Sequence, residues 1–280
     1  MTTVVVLTLL GGACYGVAAV LQHQAAEAQP PELTMRFGLL LRLVRRPLWV
    51  VGNLLDMAGY AFQLLALRTG PLTLVEPLLV VSLIFAFPVS AMLGHRNVSM
   101  AETGAAVVVA GGLGLFLAFA RPSAVRLDAP FPVLFLLTVI IALALGTGTL
   151  VARHSVRSRA GLVLAGSAGV AFGYMAAMTA VSWQLITHGA LHALASWQPY
   201  AVIVSGAVGI LLTQSAFNAG HLRLTLPTMT VVQPIVAIAI GLFVFGEKIG
   251  SHGLAPFWEV LGLAVMVIGV FALAQPQFPD

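Results

Sequence analysis

Nine stretches of roughly membrane-spanning length, each nearly free of charge, recur along this chain: 3–25, 48–67, 71–93, 101–120, 131–152, 160–183, 199–219, 224–246 and 256–274. In hydrocarbon a segment of this kind must pair its own backbone N–H and C=O groups, and a helix does that within itself. Over the whole chain, 60% of residues are hydrophobic and 8% charged, against about 25% charged in a soluble domain. The expected fold is therefore an all-α polytopic membrane protein with no soluble domain. Trp49, Trp183, Trp197 and Trp258 all fall at segment ends, where indole rings sit at the membrane–water boundary.

Two stretches test the helix count. The first apolar segment has the length of a signal peptide and could be cleaved near Ala26-Glu27-Ala28, but no Lys or Arg precedes Arg36, so it is expected to remain as a helix. Leu33 to Val44 is apolar but short and carries Arg36 and Arg42. It is expected to lie along the interface, with a tenth membrane helix as the alternative.

With nine helices and the N-terminus outside, Arg36, Arg42, Arg45, Arg46, Arg96, Arg153, Arg157, Arg159 and Arg223 fall on the inner side. Arg68, Arg121, Arg126 and Lys248 fall outside, so nine of the 13 basic residues are inner. The positive-inside rule then predicts a cytoplasmic C-terminus, in the cell membrane. The net charge of +4 comes from loop arginines and suits anionic lipid headgroups. No aromatic-plus-basic cluster suggests a nucleic-acid partner. Cys14 is the single cysteine, which excludes an internal disulfide.

The chemistry concentrates between Trp49 and Val80. Asn53, Asp56, Tyr60 and Gln63 are spaced three, four and three apart, which places them on one helical stripe. After the Arg68-Thr69-Gly70-Pro71 turn comes Leu72-Thr73-Leu74-Val75-Glu76-Pro77, an acid directly before a helix breaker. A carboxylate at the centre of a membrane helix costs roughly 2.5–3.5 kcal/mol on insertion scales, so two of them argue for use. A purely structural polar seam is the alternative, since amides bridge membrane helices for about 0.6 kcal/mol each. Asp56 and Glu76 could meet across the hairpin as one coupled site for a hydrated cation or a shared proton, which makes them the candidate metal ligands.

The second half repeats the first. Leu72-Thr73-Leu74-Val75-Glu76-Pro77-Leu78 matches Met229-Thr230-Val231-Val232-Gln233-Pro234-Ile235. Each copy runs on to Gly plus charge (Gly94-His95-Arg96, Gly246-Glu247-Lys248) and then to a glycine-spaced helix ending in Pro122 or Pro276. The expected division is a repeat over 1–122 and a second over 123–280, inverted across the membrane, with Pro77 and Pro234 as helix breaks or hinges. Gly12 with Gly16, and Gly169 with Gly173, have the spacing of close helix contacts. Gln214, Asn218 and Gln233 extend the polar lining into the second copy, or form a seam there. Glu102, Asp128, Glu247 and Glu259 fall at helix ends, where hydration or a helix dipole accommodates them. His188 and His192 are four apart, but two histidines without a third ligand more often sit solvated than bind zinc.

With these residues in view, the chain resembles the drug/metabolite transporter (DMT, EamA-like) superfamily, and within it the NIPA-like magnesium transporters. The likeness runs from Gly11-Gly12 to Pro276. It is most specific at Gly59-Tyr60-Ala61-Phe62 leading into Leu74-Val75-Glu76-Pro77-Leu78, and at Thr213-Gln214 leading through Asn218 to Val232-Gln233-Pro234. The resemblance implies alternating access through a cavity between two halves, without ATP hydrolysis. It departs from that branch in its charges, because there an acid stands at Asn53, an amide at Asp56 and a hydroxyl at Glu76. The expected function is a secondary transporter of a divalent cation such as Mg²⁺, with a proton-coupled transporter of a small metabolite or drug as the alternative. A membrane scaffold and an intramembrane hydrolase are weaker readings, since no catalytic arrangement accompanies the acids. The expected partners are the bilayer, a small ion or molecule, and a second copy in a homodimer. No cofactor is expected.

Overall fold

The computed structural model describes residues 2–93, 100–119, 129–187, 189–247 and 254–274. Every regular element among them is helical, and the chain is a multi-pass membrane protein. Its elements are α1 (Thr2–Glu27), α2 (Phe37–Leu43), α3 (Pro47–Leu67), α4 (Leu72–Leu78), α5 (Ser82–Leu93) and α6 (Met100–Phe119). There follow α7 (Phe131–Arg153), α8 (Arg157–Thr187), α9 (Ala190–Ala195), α10 (Gln198–Ala219), α11 (Leu222–Phe243) and α12 (Ala255–Ala274). Among the described residues, 8 helical segments are long and apolar enough to cross a membrane, with α4 and α5 joined as Leu72–Leu93. The 20-residue α6 lies at the position of the remaining expected span. Proline begins α3, α7 and α10 within the first turn, where its missing N–H removes no helical hydrogen bond.

The stretch from Leu33 to Val44 holds only the 7-residue α2. At ~1.5 Å per residue it is far short of the hydrocarbon thickness, so it is not a tenth span. It has one buried and one exposed face. Leu39 and Leu43 are fully buried against α1 and α10, while Phe37 and Leu41 remain exposed.

Packing follows the same pattern in each half. α1 lies against α3 and α5, and α8 lies against α10 and α11. α4 meets α11 between the halves, and α6 and α12 form a pair of their own. Glycine makes the closest approaches possible. A Cβ on Gly12 or Gly16 of α1 would collide with Val81 and Ser82, and one on Gly169 or Gly173 of α8 would collide with Val232, Gln233 and Val236. Both pairs therefore press on the chain just beyond a proline, Pro77 in one case and around Pro234 in the other.

The two prolines behave differently. Beyond Pro77 the α-helix gives way to a 3-10 turn over Leu79–Val81 before α5 resumes, a break at the expected place. α11 runs unbroken from Leu222 to Phe243 through both Pro227 and Pro234. The expectation of a helix break at Pro234 is thus corrected. One missing N–H is tolerated where the backbone is held along its length, and here Gly169 and Gly173 let α8 grip α11 on both sides of Pro234.

Sidedness carries a direct expectation. Ser155 lies in the short loop after α7 and Leu191 in the short α9 that follows α8, so they sit at opposite ends of α8. In a Cys14→Ala background, Ser155→Cys should react with an impermeant maleimide only from the cytoplasm and Leu191→Cys only from outside. Labelling of both from one face would refute the arginine-based orientation.

Candidate functional site

Seven helices, α1, α3, α4, α5, α8, α10 and α11, line a central cavity of about 560 Å³. Its wall is largely apolar, with Phe172, Met175, Phe217 and Met229 among its larger side chains. Of the expected site residues, Asn53, Asp56, Tyr60, Gln63, Glu76, Gln214, Gln233 and Pro234 line it. The stripe read from α3 therefore does face one space, and the second-half amides face the same space from across the molecule. Pro77 is buried in α4 beside the wall, and Asn218 is not part of it.

Two separate hydrogen-bond chains hold the acids. Glu76, 1% exposed, accepts from Gln63 Nε2 at 2.7 Å on Oε1 and from Gln233 Nε2 at 2.9 Å on Oε2. Tyr15 OH donates to Gln63 Oε1 at 2.6 Å, so α1, α3, α4 and α11 meet in one chain. Asp56 accepts from Gln22 Nε2 at 2.5 Å, and Gln22 Oε1 accepts from Gln214 Nε2 at 2.5 Å, which ties α3 to α10 through α1. Both acids line the one cavity, with amides beside each, and the two chains share no hydrogen bond among the described residues. An amide offers both a donor and an acceptor, so it can satisfy a buried carboxylate on one side and pass polarity to the next helix on the other.

The chains differ in what they leave unused. Both oxygens of Glu76 are engaged. Asp56 uses only Oδ2, and Gln214 Oε1 is buried without a hydrogen-bond partner although the residue is 1% exposed. Asp56 Oδ1 and Gln214 Oε1 are therefore two open acceptors in the cavity wall. Tyr60 OH is 2.8 Å from Thr179 Oγ1 of α8, and Asn53 Nδ2 returns to Trp49 O of its own helix at 2.9 Å.

Polar clusters close on either end of the bundle. At one end Asn218 donates from Nδ2 to Ala26 O and Gln29 O, both at 3.0 Å, and accepts on Oδ1 from Thr34 Oγ1. Arg157 donates to the Asn218 carbonyl at 2.8 Å, and Met35 N donates to Ser215 Oγ at 3.0 Å. Asn218 is therefore a staple at the expected cytoplasmic end and not a lining residue. At the other end Glu247 receives Leu72 N at 3.1 Å and Thr73 N at 3.0 Å. It caps the N-terminus of α4, two orphan donors of the helix that carries Glu76. Glu247 and Glu259 are both buried, so hydration, one of the two expected accommodations, is not what settles them. Glu247→Ala leaves two buried N–H groups without their acceptor, a loss of about 1–3 kcal/mol. It should lower the melting temperature in detergent by several degrees, and an unchanged melting curve would contradict the cap.

Tyr15, Gln22 and Thr179 escape a reading of the sequence, and Glu247 is read there only as a helix-end acid. Tyr15 and Gln22 do lie seven apart on one helical face, a signal as good as that on α3 but without a charge to mark it. His192 is exposed in α9, while His188 lies outside the described residues. Among the described residues no group of three metal-ligand side chains converges. Arg96, Arg121, Arg126, Lys248 and Asp128, and the side chains of Glu102 and Arg223, also lie outside the described residues.

No family model matches the chain, and no solved structure matches it. It is 30% identical over 259 residues to an uncharacterized protein of Corynebacterium glutamicum, covering 91% of this chain and 89% of that one. The chain belongs to the family of multi-pass membrane proteins that includes this Corynebacterium glutamicum protein.

Proposed function

We propose that this chain is a secondary transporter with the inverted-repeat plan of the drug/metabolite transporter superfamily, and that it carries a small organic molecule in exchange for, or together with, protons. The observation that carries the reading is the central cavity with Asp56 and Glu76 in its wall, enclosed by matching helices of the two halves. Further support comes from like-for-like packing: Gly12 and Gly16 of α1 stand to the chain after Pro77 as Gly169 and Gly173 of α8 stand to α11 around Pro234. Successive spans alternate in direction. With α7 as an extra helix between the halves, α8 runs opposite to α1, so the copies are inverted as such transporters require.

Mg²⁺ is the second reading, favoured by the two carboxylates on one wall. A hydrated Mg²⁺ needs few carboxylates but wants oxygen-rich surroundings. This cavity is walled mostly by aliphatic, aromatic and thioether groups, and each Glu76 oxygen already accepts from an amide, so an organic cargo fits the space better. In proteoliposomes with an imposed pH gradient, organic cations should be taken up against their concentration gradient without added Mg²⁺. Uptake of Mg²⁺ that is indifferent to the pH gradient, with no organic uptake, would reverse the order of the two readings.

A further inference from the structure

The cavity has a side as well as two ends. No packed interface joins α3 to α10, since α3 leans on α1 and α10 leans on α8. Cavity-lining residues stand exposed along both helices: Met57 of α3 is 69% exposed and Ile203 of α10 is 67% exposed. Gly206 and Ile210 continue the α10 edge. Met57 is at the middle of α3, roughly 15 Å from either end at 1.5 Å per residue, so this gap opens at the depth of the lipid chains and not of the headgroups. The Asn218 cluster and the Glu247 cap lie at the two ends, beyond the lining residues.

The chemistry behind the gap is one-sided. Among the described lining residues none is Lys or Arg, two are carboxylates, and Asp56 Oδ1 and Gln214 Oε1 stand open as acceptors. A phosphate or carboxylate head would meet two carboxylates there with no Lys or Arg to offset them, whereas an ammonium brings donors and a positive charge. Methionine and phenylalanine on the deeper wall supply an adaptable surface for an apolar body.

We propose that a single-chain amphiphilic amine enters the cavity sideways from the bilayer, between α3 and α10, with its ammonium drawn to Asp56 and Gln214 and its tail trailing through the gap past Met57 and Ile203. This rests on the transporter reading for its purpose, but it is a statement about binding and is testable without transport.

The test uses the full-length protein in lipid nanodiscs and an alkylamine of twelve carbons carrying a diazirine in its tail. After photolysis, mass spectrometry should find adducts on the peptides holding Met57 and Ile203 at least tenfold denser than on the lipid-facing α7 residues Leu136 and Leu143. Excess unlabelled dodecylamine should remove the adducts at the gap and leave those on α7. The equivalent diazirine fatty acid should not reproduce the pattern. Asp56→Asn should lower the gap labelling about tenfold, and competition in the unmutated protein decides the matter should that variant fold poorly. Adducts spread evenly over α3, α7 and α10, insensitive to competition, would overturn the side entry. A fatty acid that labels the gap as well as the amine does would overturn the assignment of the cargo's charge. Specific gap labelling without any uptake in proteoliposomes would leave the side entry standing and sink the transporter reading instead.

Discussion

Asp56→Asn should abolish uptake, by a hundredfold or more, in a protein that still folds. The substitution keeps the shape of the side chain and leaves an oxygen to accept from Gln22 Nε2, so the chain from Gln214 through Gln22 to α3 survives. What disappears is the negative charge and the open acceptor at Oδ1. Glu76→Gln differs. Its two oxygens face two amide donors, so the new amide must turn one partner round, and Tyr15 OH competes for the same Gln63 oxygen. It should lower uptake at least tenfold and also reduce stability, a double signature that Asp56→Asn lacks. The double variant should be no slower than Asp56→Asn alone, because groups that act as a unit are not additive. Retained uptake in both single variants would reduce the acids to structural glue.

Larger still in its effect on the fold is the glycine packing. In Gly16→Leu the new Cβ falls on the Ser82 carbonyl and against the Phe85 side chain, and backbone cannot step aside as a flexible side chain can. Gly173→Leu does the same against the Gln233 carbonyl and Val236. Overpacking a tight contact costs about 1–3 kcal/mol even where side chains can adjust, and here they cannot. Each variant should lose the monodisperse, thermally cooperative protein altogether. Gly114→Leu, on a face of α6 where a Cβ meets nothing, should behave as the unmutated chain. If Gly16→Leu and Gly114→Leu melted alike, the account of α1 resting on the turn after Pro77 would be wrong.

Much of this was legible in the chain because hydrocarbon imposes so few choices. Where the sequence stays apolar for about twenty residues the backbone must close on itself, and the nine expected stretches lie within a few residues of α1, α3, the joined α4 and α5, α6, α7, α8, α10, α11 and α12. The stripe on α3 was readable for the same reason, since a charge or amide in such a segment needs a polar place to go, and Asp56 pointed to the cavity wall. Partnership was not readable. Gln22 and Tyr15 are uncharged and could have bonded within their own helix, as Asn53 does, and only packing shows that they cross to α3. Glu247 is separated from Leu72 by most of the chain, and nothing local announces that its loop folds over another helix's first turn. Pro234 misled because a proline reports a lost hydrogen bond, whereas whether a helix breaks there depends on how firmly a neighbour holds it. Pro77 lies close to a 3-10 turn and Pro234 lies in an intact helix, although the local sequences are alike.

The two ends of the bundle frame the mechanism. Glu247 holds the start of α4 at one end and Asn218 holds α1 and the chain after it at the other. A transporter of this kind would release one staple at a time, exposing the space between them first to one side and then to the other. Ser82 lines the cavity and tolerates sulfur in place of oxygen with little change in size. The most direct measurement is therefore the reactivity of Ser82→Cys, in a Cys14→Ala background, toward an impermeant thiol reagent applied separately to each face of sealed, uniformly oriented liposomes. Alternating access predicts labelling from both faces, with Glu247→Ala favouring the outer one and Asn218→Ala the inner. Labelling from one face alone, unmoved by either variant, would contradict it.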